Sequence, residues 1–233
     1  MLKRLRAYAK RWLIERFDIP DTRSALMRLQ KQGFNPSVIA DVGAYRGEFA
    51  LMCLEVWPQA RIVCFEPLPH MIAALHALSE TLPIRVYPVA LGAKSAPQVC
   101  LYCAETASSL LPEHHATHPS VSCEQRTLDE AMSDYGHSCD FLKLDVQGYE
   151  LEVLKGGKAS LQEIKAVLAE VNLLDIYKGV PLATELVAWL NARGFVPFDI
   201  CGLARRPLDR TLWQADVIFV PRDSSLRADK RWI

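Results

Sequence analysis

Short apolar runs rich in β-branched residues alternate along the chain with longer segments whose apolar residues recur at helical spacing. Seven runs predict strands, at residues 38–43, 61–66, 84–91, 139–146, 166–172, 195–200 and 215–221. Helical patterns fall between them, at 47–57, 69–80, 149–157 and 182–193. Such alternation is typical of βαβ units around a parallel sheet, so we predict an α/β fold.

The predicted connections are short except at residues 92–138, where two further strand-like runs, QVCLYC and VSCEQRT, flank a polar loop. A long insertion beside a sheet often carries substrate contacts. The loop histidines could supply a base or metal ligands, but a polar loop of this kind is more often simply solvated. These histidines are His114, His115 and His118. We divide the chain into an N-terminal helical segment, 1–37, and one α/β domain, 38–223, that contains the insertion.

Residues 2–17 predict an amphipathic helix. Its apolar stripe consists of Leu2, Leu5, Ala9, Trp12, Leu13 and Phe17, and its basic residues are Lys3, Arg4, Arg6, Lys10, Arg11 and Arg16. Such a helix could lie on an anionic membrane surface as a peripheral contact. It could as easily cover one end of the domain with its apolar face, and from the sequence we favour this second arrangement.

The composition fits one domain with a substantial core, because half of the 233 residues are hydrophobic. The 27 basic residues balance the 27 acidic ones, so no global field draws the protein to nucleic acid. No basic stripe interleaved with aromatic residues indicates a nucleic-acid groove either. We therefore expect a small-molecule or glycan partner and no nucleic acid.

The seven cysteines are an odd number and lack the spacing of a disulfide framework, so we expect reduced thiols, most of them in the core. Cys100 and Cys103 form one CxxC, but no second pair follows at the spacing of a zinc site. No apolar run has the length of a signal peptide or of a membrane span. These features predict a cytoplasmic protein.

The stretch VIADVGAYRGEFA, residues 38–50, places an acid and two glycines where the first strand meets a helix. Gly43 permits a sharp turn, and Gly47 permits a close approach of the backbone to a ligand. Dinucleotide sites favour GxGxxG at this position. Asp41 instead suits a ligand with ammonium or sulfonium character better than one with phosphates. S-adenosylmethionine carries both cationic groups.

Glu66 ends the second strand in IVCFEP, 25 residues after Asp41. A carboxylate at this position can accept hydrogen bonds from both hydroxyls of a ribose. The role is shared by sites for NAD and for S-adenosylmethionine. Glu66 therefore supports a nucleoside ligand without choosing between the two.

The segment DFLKLDVQGYELEVLKGG, residues 140–157, places Asp145 at the carboxyl end of the fourth strand, with Gly148 permitting the turn. In order along the chain, DVGAYRGEF, FEP, VALG, TLDE, this segment and LAEVN closely resemble the FkbM family of S-adenosylmethionine-dependent methyltransferases. The resemblance runs from about residue 38 to 175, and KLDVQGYE is its most specific part.

The resemblance implies a Rossmann-like seven-stranded sheet, mostly parallel with an antiparallel last strand, and methyl transfer, usually to a hydroxyl oxygen. It places the methionine end of the cofactor at Asp41 and the two glycines, the ribose at Glu66, and the adenine near 89–91. The implied cofactor contacts are Asp41, Gly43, Tyr45, Gly47, Glu66, Pro67, Ala90, Leu91 and Asp145. Tyr45 and Arg46 stand where the family often has Asn and an aliphatic residue.

A base is useful because a protonated hydroxyl is a weak nucleophile. Asp145 is our first candidate, although it could instead hydrogen bond the loop or the cofactor. Glu170 and Asn172 should project to the same side of the fifth strand, which would pair Glu170 with Asp145 as catalytic carboxylates. The same three oxygen ligands could hold Mg²⁺, an alternative that we do not favour. We assign no role to Lys143.

The fourth strand ends in LDVQGY and lacks the Asp/Asn-Pro-Pro-aromatic turn of many enzymes that methylate amines. We therefore predict O-methylation of a sugar, a glycan precursor or another small metabolite. Two alternatives remain open. An NAD-dependent oxidoreductase would share the sheet and Glu66 but should carry GxGxxG. A non-catalytic nucleoside-binding module could use the same fold.

Overall fold

The computed structural model describes residues 12–14 and 16–232. Within these residues the strands are β1 (Val38–Val42), β2 (Arg61–Phe65), β3 (Ile84–Tyr87), β4 (Ala90–Leu91), β5 (Ala96–Tyr102), β6 (Ser120–Arg126), β7 (Phe141–Leu144), β8 (Ala166–Asn172), β9 (Phe195–Arg205) and β10 (Leu212–Pro221). One sheet has seven of these strands, in the order β3-β2-β1-β7-β8-β10-β9, and a second has three, in the order β4-β6-β5.

The large sheet is parallel except at one edge. β1 pairs in parallel with β2 and β7, and β8 continues the parallel order beside β7. β10 runs antiparallel to both β8 and β9. This topology confirms the predicted Rossmann-like sheet with an antiparallel last strand. The order of strands reverses between β1 and β7, which is the kind of switch point where open α/β sheets bind ligands.

Helices cover both faces of the large sheet. They are α1 (Thr22–Lys31), α2 (Glu48–Val56), α3 (Pro69–Ser79), α4 (Leu128–Tyr135), α5 (Glu150–Lys155) and α6 (Ala183–Asn191), with 3₁₀ turns at Glu105–Ala107, Ser160–Gln162 and Ser225–Arg227. The apolar residues of α1, α2 and α3 share one buried cluster, and those of α4, α5 and α6 share another. Because both faces are covered, the strands read as continuous apolar runs.

Alternation along β1 shows how one strand supplies both cores. Val38, Ala40 and Val42 join the cluster of α4, α5 and α6, whereas Ile39 joins the opposite cluster. Asp41 therefore points to the α1–α3 face, since side chains of a strand alternate between its two faces. It is fully buried there.

The predicted strand at 84–91 is divided in the structure, so its predicted extent was wrong. β3 belongs to the large sheet, whereas β4 pairs with β6 in the small sheet. Pro88 lies at the break and has no N–H to donate to a sheet ladder. The division places Ala90 and Leu91 in the small sheet, opposite Gln125 and Arg126. The two extra strands predicted in the insertion, 92–138, are confirmed as β5 and β6.

Two helices were not predicted. α1 begins at an N-cap in which Asp21 accepts a hydrogen bond from the Ser24 N–H at 2.9 Å, and Leu26 and Leu29 pack into the core. α4 begins with a capping box formed by Thr127 and Glu130. Their buried apolar residues do recur at helical spacing, at Ala25, Leu26 and Leu29 in α1 and at Leu128, Ala131 and Met132 in α4. The sequence therefore contained a signal that the prediction missed.

The predicted N-terminal helix, 2–17, lies mostly outside the described residues, which show helical backbone at 12–14 and 16–17. Trp12, Leu13 and Phe17 are exposed, as is Ile19 after the helix. The described end of the segment therefore does not bury these side chains against the domain. Among residues 12–14 and 16–232, no helix combines the length and the apolar character needed to cross a bilayer.

Candidate active site

A cavity of about 430 Å³ opens at the carboxyl ends of β1, β2 and β7, at the switch point of the large sheet. We call it the main cavity. Its floor is the loop after β1, one wall is the segment from Glu66 to Leu68, and the opposite wall is the loop after β7. The insertion, 92–138, closes the remaining side with residues from Leu101 to Leu110. The long insertion thus contributes directly to this cavity.

Gly43 forms the turn between β1 and the main cavity. Its φ is +75°, and a Cβ at this position would overlap the carbonyl oxygen of Asp145 in the neighbouring loop. Only glycine meets both conditions without strain. The sequence predicted a sharp turn at Gly43, and the structure has one. The loops after β1 and β7 pack closely against each other at this glycine.

Gly47 does not line the main cavity, and its contact with a ligand stays a prediction. It is the N-cap of α2 with a φ of +89°. A Cβ there would come within 2.7 Å of the Leu78 side chain on α3. The glycine therefore permits α2 to begin directly after the turn and to pack against α3.

Glu66 is buried at the end of β2 and lines the main cavity. Its Oε2 accepts the Tyr45 N–H at 2.8 Å, and its Oε1 accepts the Leu68 N–H at 2.9 Å. Burial raises the pKa of Glu66, although both backbone hydrogen bonds oppose the rise. Each oxygen keeps a second lone pair toward the cavity, so the carboxylate fits the two hydroxyls of a ribose.

Tyr45 links the floor of the main cavity to the insertion. Its backbone has a φ of +50°, a conformation that Asn adopts more readily than Tyr. Its hydroxyl lies 3.2 Å from Glu105 Oε2, and its ring packs with Leu68, Met71 and Leu101. The aromatic side chain thus anchors the wall formed by the insertion, at the price of a less favourable backbone.

The side of the main cavity where the family resemblance predicts adenine is apolar. Pro67, Ala90 and Leu91 line it, and Val89 and Leu101 complete the surface. These residues supply van der Waals contact and no charge, which suits the flat face of a purine base.

Asp41 does not line the main cavity and is instead held in an ion pair with Lys143, so its direct contact with the cofactor stays a prediction. Asp41 lies beside Lys143 in the register of β1 and β7, and Lys143 Nζ is 3.0 Å from Asp41 Oδ1. The ammonium also donates to the Gly43 carbonyl at 2.8 Å and lies 3.5 Å from Asp145 Oδ2. Lys143 therefore ties Asp41, the glycine turn and Asp145 together.

Burial alone would lower the pKa of Lys143, but the carboxylates of Asp41 and Asp145 outweigh it and raise the pKa above its ordinary value. Lys143 is thus a cation between two carboxylates. We assigned no role to Lys143 from the sequence, and the prediction missed this arrangement. Residues two apart in a strand share one face, and that signal was available in the sequence.

Acidic residues dominate the charge of the main cavity. Its five acidic lining residues are Glu48, Glu66, Glu105, Asp145 and Asp216. Its one basic lining residue among the described residues is Lys143, which already pairs with Asp41 and Asp145. A cation entering this cavity gains Coulomb energy, whereas a pyrophosphate would be repelled. The donor set therefore fits the sulfonium and ammonium groups of S-adenosylmethionine.

Asp145 and Glu170 are joined through an amide and do not touch directly. Gln147 Nε2 lies 2.9 Å from Asp145 Oδ1 and 2.9 Å from Glu170 Oε2. Gln214 on β10 donates to Glu170 Oε2 at 2.6 Å and to Asn172 Oδ1 at 3.2 Å. Glu170 and Asn172 thus share one side of β8, as predicted, and Gln147 bridges the predicted pair of carboxylates.

Burial raises the pKa of Glu170 well above its ordinary value, and the neighbouring carboxylates of Asp145 and Glu150 add to the rise. Asp145, Glu170 and Asn172, the alternative magnesium ligands that we did not favour, each use one oxygen to accept a hydrogen bond from a glutamine amide. An amide N–H cannot bind a cation. In the described part of the chain, no three His, Cys, Asp or Glu side chains group at distances that would hold a metal ion.

The loop histidines lie away from the main cavity. His114 and His115 border a separate surface depression beside Asp175 and Arg206, and His118 pairs with Glu113 at 2.9 Å. All seven cysteines are free thiols, four of them buried. Cys100 and Cys103 flank the residue Leu101 that lines the cavity.

Sequence reasoning missed four polar residues around the site: Lys143, Gln147, Gln214 and Asp216. Gln214 and Asp216 alternate with apolar residues along β10, a pattern that the sequence contains. Their partners follow only from the register, which sets Gln214 opposite Asn172 and Asp216 opposite Glu170. That pairing requires knowing that β10 inserts beside β8.

Comparison with known proteins finds methyltransferases by sequence and by structure. A family model of the methyltransferase FkbM domain matches residues 41–197. The chain is 28% identical over 169 residues to the 2-O-methyltransferase NoeI of Sinorhizobium fredii, which covers 64% of this chain and 69% of that protein. It is 25% identical over 180 residues to the hexuronic acid methyltransferase AglP of Haloferax volcanii, covering 74% of each.

Among solved structures, the methyltransferase FkbM from Methylobacillus flagellatus aligns with a TM-score of 0.51 at 18% identity. The alignment covers 78% of this chain but 43% of that longer protein. Magnesium protoporphyrin IX methyltransferase ChlM from Synechocystis aligns with a TM-score of 0.50 at 9% identity, covering 86% and 78%. These likenesses establish the fold. Because the family match extends over well more than half of the sequence, the chain belongs to the FkbM methyltransferase family.

Proposed function

We propose that this protein transfers the methyl group of S-adenosylmethionine to a hydroxyl oxygen of a sugar or glycan precursor. The observation that carries the proposal is the acidic main cavity at the switch point, with buried Glu66 at the ribose position and Lys143 already paired. S-adenosylmethionine supplies an activated methyl group on a positive sulfur. The chain then has to hold the acceptor in line with that methyl and remove its proton.

The names of two relatives support the acceptor class. One is a 2-O-methyltransferase, which points to oxygen, and the other is a hexuronic acid methyltransferase, which points to a sugar. Glutamine and asparagine amides at the ends of β7, β8 and β10 add polar groups of the kind that bind carbohydrate hydroxyls. Together these features favour a sugar hydroxyl over an amine.

Each residue around the main cavity has a role in the proposal. Glu66 accepts the ribose hydroxyls, Ala90 and Leu91 contact the adenine, and Gly43 brings the backbone close to the methionine end. Asp145 faces the same end, held by Lys143 and Gln147. Asp145 and Glu170, the two carboxylates predicted as catalytic bases, belong to a hydrogen-bonded network. In the proposal this network positions the acceptor side of the cavity.

Calorimetric titration tests the cofactor. S-adenosylmethionine and S-adenosylhomocysteine should bind, and NAD should not. Glu66→Gln should weaken the binding of S-adenosylmethionine and of S-adenosylhomocysteine by about tenfold or more. The reason is that a hydrogen bond from the ribose to a charged acceptor is replaced by one to a neutral amide. Glu163→Gln, on the exposed surface, is the matched control and should bind as the wild type does. Tight binding of NAD alone would refute the proposal.

Transfer of labelled methyl groups into a panel of sugars, hexuronic acids and lipid-linked glycans tests the reaction. Mass spectrometry of the product should place the label on oxygen. Label on nitrogen would overturn the acceptor class. A protein that binds the cofactor but labels no sugar would favour the non-catalytic alternative.

We also propose that the N-terminal segment rests on an anionic membrane surface. Trp12, Phe17 and Ile19 are exposed, and six basic residues occupy positions 1–16 of the sequence. Basic and exposed apolar groups together are typical of interfacial helices. The segment runs into Thr22, which lines the main cavity. A membrane contact here would bring a lipid-linked acceptor near the site.

Sedimentation with phosphatidylglycerol vesicles tests this contact. Trp12→Ser combined with Phe17→Ser should reduce the bound fraction severalfold, whereas Leu208→Ser, at an even more exposed apolar residue in the β9–β10 turn, should not. Equal binding of all three proteins would refute the proposed contact. Binding to neutral phosphatidylcholine vesicles should be weak, because the electrostatic attraction is then absent.

A further inference from the structure

A second cavity of about 320 Å³ adjoins the main cavity at the edge formed by β8, β10 and β9. We call it the side cavity. It shares two lining residues with the main cavity, Thr22 and Asp216, so the two spaces meet at these side chains. Its remaining polar lining comes from Asp21, Glu170 and Gln214. A small polar acceptor seated there would face the main cavity across Asp216.

We propose that Asp216 is the general base that takes the proton from the acceptor hydroxyl, with the acceptor held in the side cavity. The inference rests on the proposed methyl transfer and adds a catalytic residue to it. The hydroxyl oxygen forms a bond to the methyl carbon while the sulfur–methyl bond breaks, and that electron pair stays on sulfur. The hydroxyl proton passes to the Asp216 carboxylate, so charge and atoms balance.

The contacts of Asp216 leave its carboxylate available. It lies opposite Glu170 on β8 and opposite Gly202 on β9. A Cβ on Gly202 would overlap Asp216 Oδ2, so the absence of a side chain there makes room for the carboxylate. Within residues 12–14 and 16–232, no cation or hydrogen-bond donor pairs with the Asp216 side chain. A half-buried carboxylate without a partner can accept a proton from a ligand.

Asp145 and Glu170, the two carboxylates predicted as bases from the sequence, are less available to accept a proton. Asp145 is held by Lys143 at 3.5 Å and by Gln147 at 2.9 Å. Glu170 Oε2 accepts two amide hydrogen bonds, from Gln147 and Gln214. Both carboxylates therefore position the surrounding network. Asp216 is the one of the three that lines both cavities.

The electrostatic surroundings suit a base that works near neutral pH. Burial raises the pKa of Asp216 to about 6, Asp145 adds to the rise, and Lys143 opposes it. Glu170 faces Asp216 from β8, and Asp21 borders the side cavity from the start of α1. Asp216 is thus mostly ionised above pH 6 and protonated below it. The rate should fall as the pH drops through about 6, because the protonated acid cannot accept a proton.

The test uses the full chain and the panel sugar that the wild type labels fastest. Asp216→Asn should lower kcat by about 10²- to 10⁴-fold and remove the acid limb near pH 6 from the residual rate. Affinity for S-adenosylhomocysteine, measured by calorimetry, should stay within about threefold. Asp223→Asn, an exposed acid after β10, is the matched control and should behave as the wild type does.

Gly202→Ala gives a second variant that keeps the carboxylate but displaces it. It should lower kcat while circular dichroism and S-adenosylhomocysteine affinity stay close to the wild type. Carbon-13 NMR of the Asp216 carboxyl should show titration near pH 6, a readout that needs no activity.

The outcomes separate this inference from the proposed function. A wild type that binds no S-adenosylmethionine, or binds it and labels no sugar, overturns the proposed function and the inference with it. An active wild type whose Asp216→Asn variant keeps kcat within about threefold, with the same pH profile, overturns the inference alone. Loss of S-adenosylhomocysteine binding in Asp216→Asn would also overturn it, because the residue would then act on the cofactor.

Discussion

At the scale of single residues, the main cavity rests on a buried ion pair between Asp41 and Lys143. Asp41 is fully buried, and the Lys143 ammonium is its ion-pair partner. No other donor in the described part of the chain reaches either carboxylate oxygen. A buried carboxylate that loses its partner is costly, because water cannot replace it.

Lys143→Met should therefore lower the free energy of unfolding by about 3–5 kcal/mol, since it leaves Asp41 buried and unpaired. Adding Asp41→Asn to the same chain should recover most of that loss, because it removes the stranded charge. Urea denaturation of both proteins measures the difference. Lys165→Met, which breaks an exposed ion pair with Asp140, is the control and should cost about 1 kcal/mol or less. Equal losses in the two lysine variants would contradict the account.

Gly43 allows a second prediction at this scale. Gly43→Ala should lower the free energy of unfolding by more than about 3 kcal/mol, because a positive φ and an overlap with the Asp145 carbonyl act together. Gly33→Ala shares the positive φ but meets no atom within 4 Å, so it should cost about 1 kcal/mol. Thermal denaturation compares the two. A Gly43→Ala protein as stable as Gly33→Ala would show that the loops do not pack as described.

At the scale of elements, the loop between β7 and α5 is shaped by a side chain from the helix that follows it. Glu150 Oε1 accepts the N–H groups of Val146 and Gly148 at 3.0 and 3.1 Å. Gln147 lies between them with a φ of +53°, which turns its amide toward Asp145 and Glu170. The motif DVQGYE thus builds a loop that holds the bridging glutamine in place.

Burial raises the pKa of Glu150 to about 7, although its hydrogen bonds to backbone N–H groups oppose the rise. A carboxyl whose pKa is higher in the folded protein binds more protons when folded. Its contribution to stability is therefore present at low pH and is lost as the pH rises from its ordinary pKa of 4.5 to about 7.

Glu150→Gln keeps the acceptor oxygen and removes the titration. Between pH 5 and pH 7.5 the variant should lose less unfolding free energy than the wild type, by on the order of 2 kcal/mol. Urea denaturation at the two pH values gives this difference. An identical pH dependence in the two proteins would show that Glu150 is not the group that titrates. Asp216 titrates in both proteins, so its contribution cancels.

At the scale of the whole molecule, the main cavity draws on β1, β2, β7 and the insertion, which meet only in the folded sheet. Under the proposed function, S-adenosylmethionine at 100 times its Kd should add about 2.7 kcal/mol to the unfolding free energy. For a protein of this size that corresponds to a rise in Tm of roughly 5–10 °C. Differential scanning fluorimetry measures it. NAD at the same concentration should give no rise, and an equal rise would contradict the acidic character assigned to the cavity.

Much of the site could be predicted because its parts are local in sequence. Gly43 and Glu66 each follow a strand directly, and the carboxyl ends of parallel strands meet at one edge of a sheet. Ala90 and Leu91 line the main cavity, although the strand predicted to carry them is interrupted at Pro88. Glu66 alone left two nucleosides open, Asp41 favoured S-adenosylmethionine over a dinucleotide, and the FkbM resemblance then identified the cofactor.

The sequence by itself determined the alternation of strands and helices, the turn at Gly43 and the acid at the end of β2, since these depend on residues near each other in the chain. Only the tertiary structure decided that Lys143 pairs with Asp41, that Gly47 lets α2 pack against α3, and that Asp216 on β10 lines the main cavity. The physical reason is that strand order, register and helix packing are set by contacts between segments that are far apart in the chain. No local pattern encodes which side chains will face each other across such a sheet.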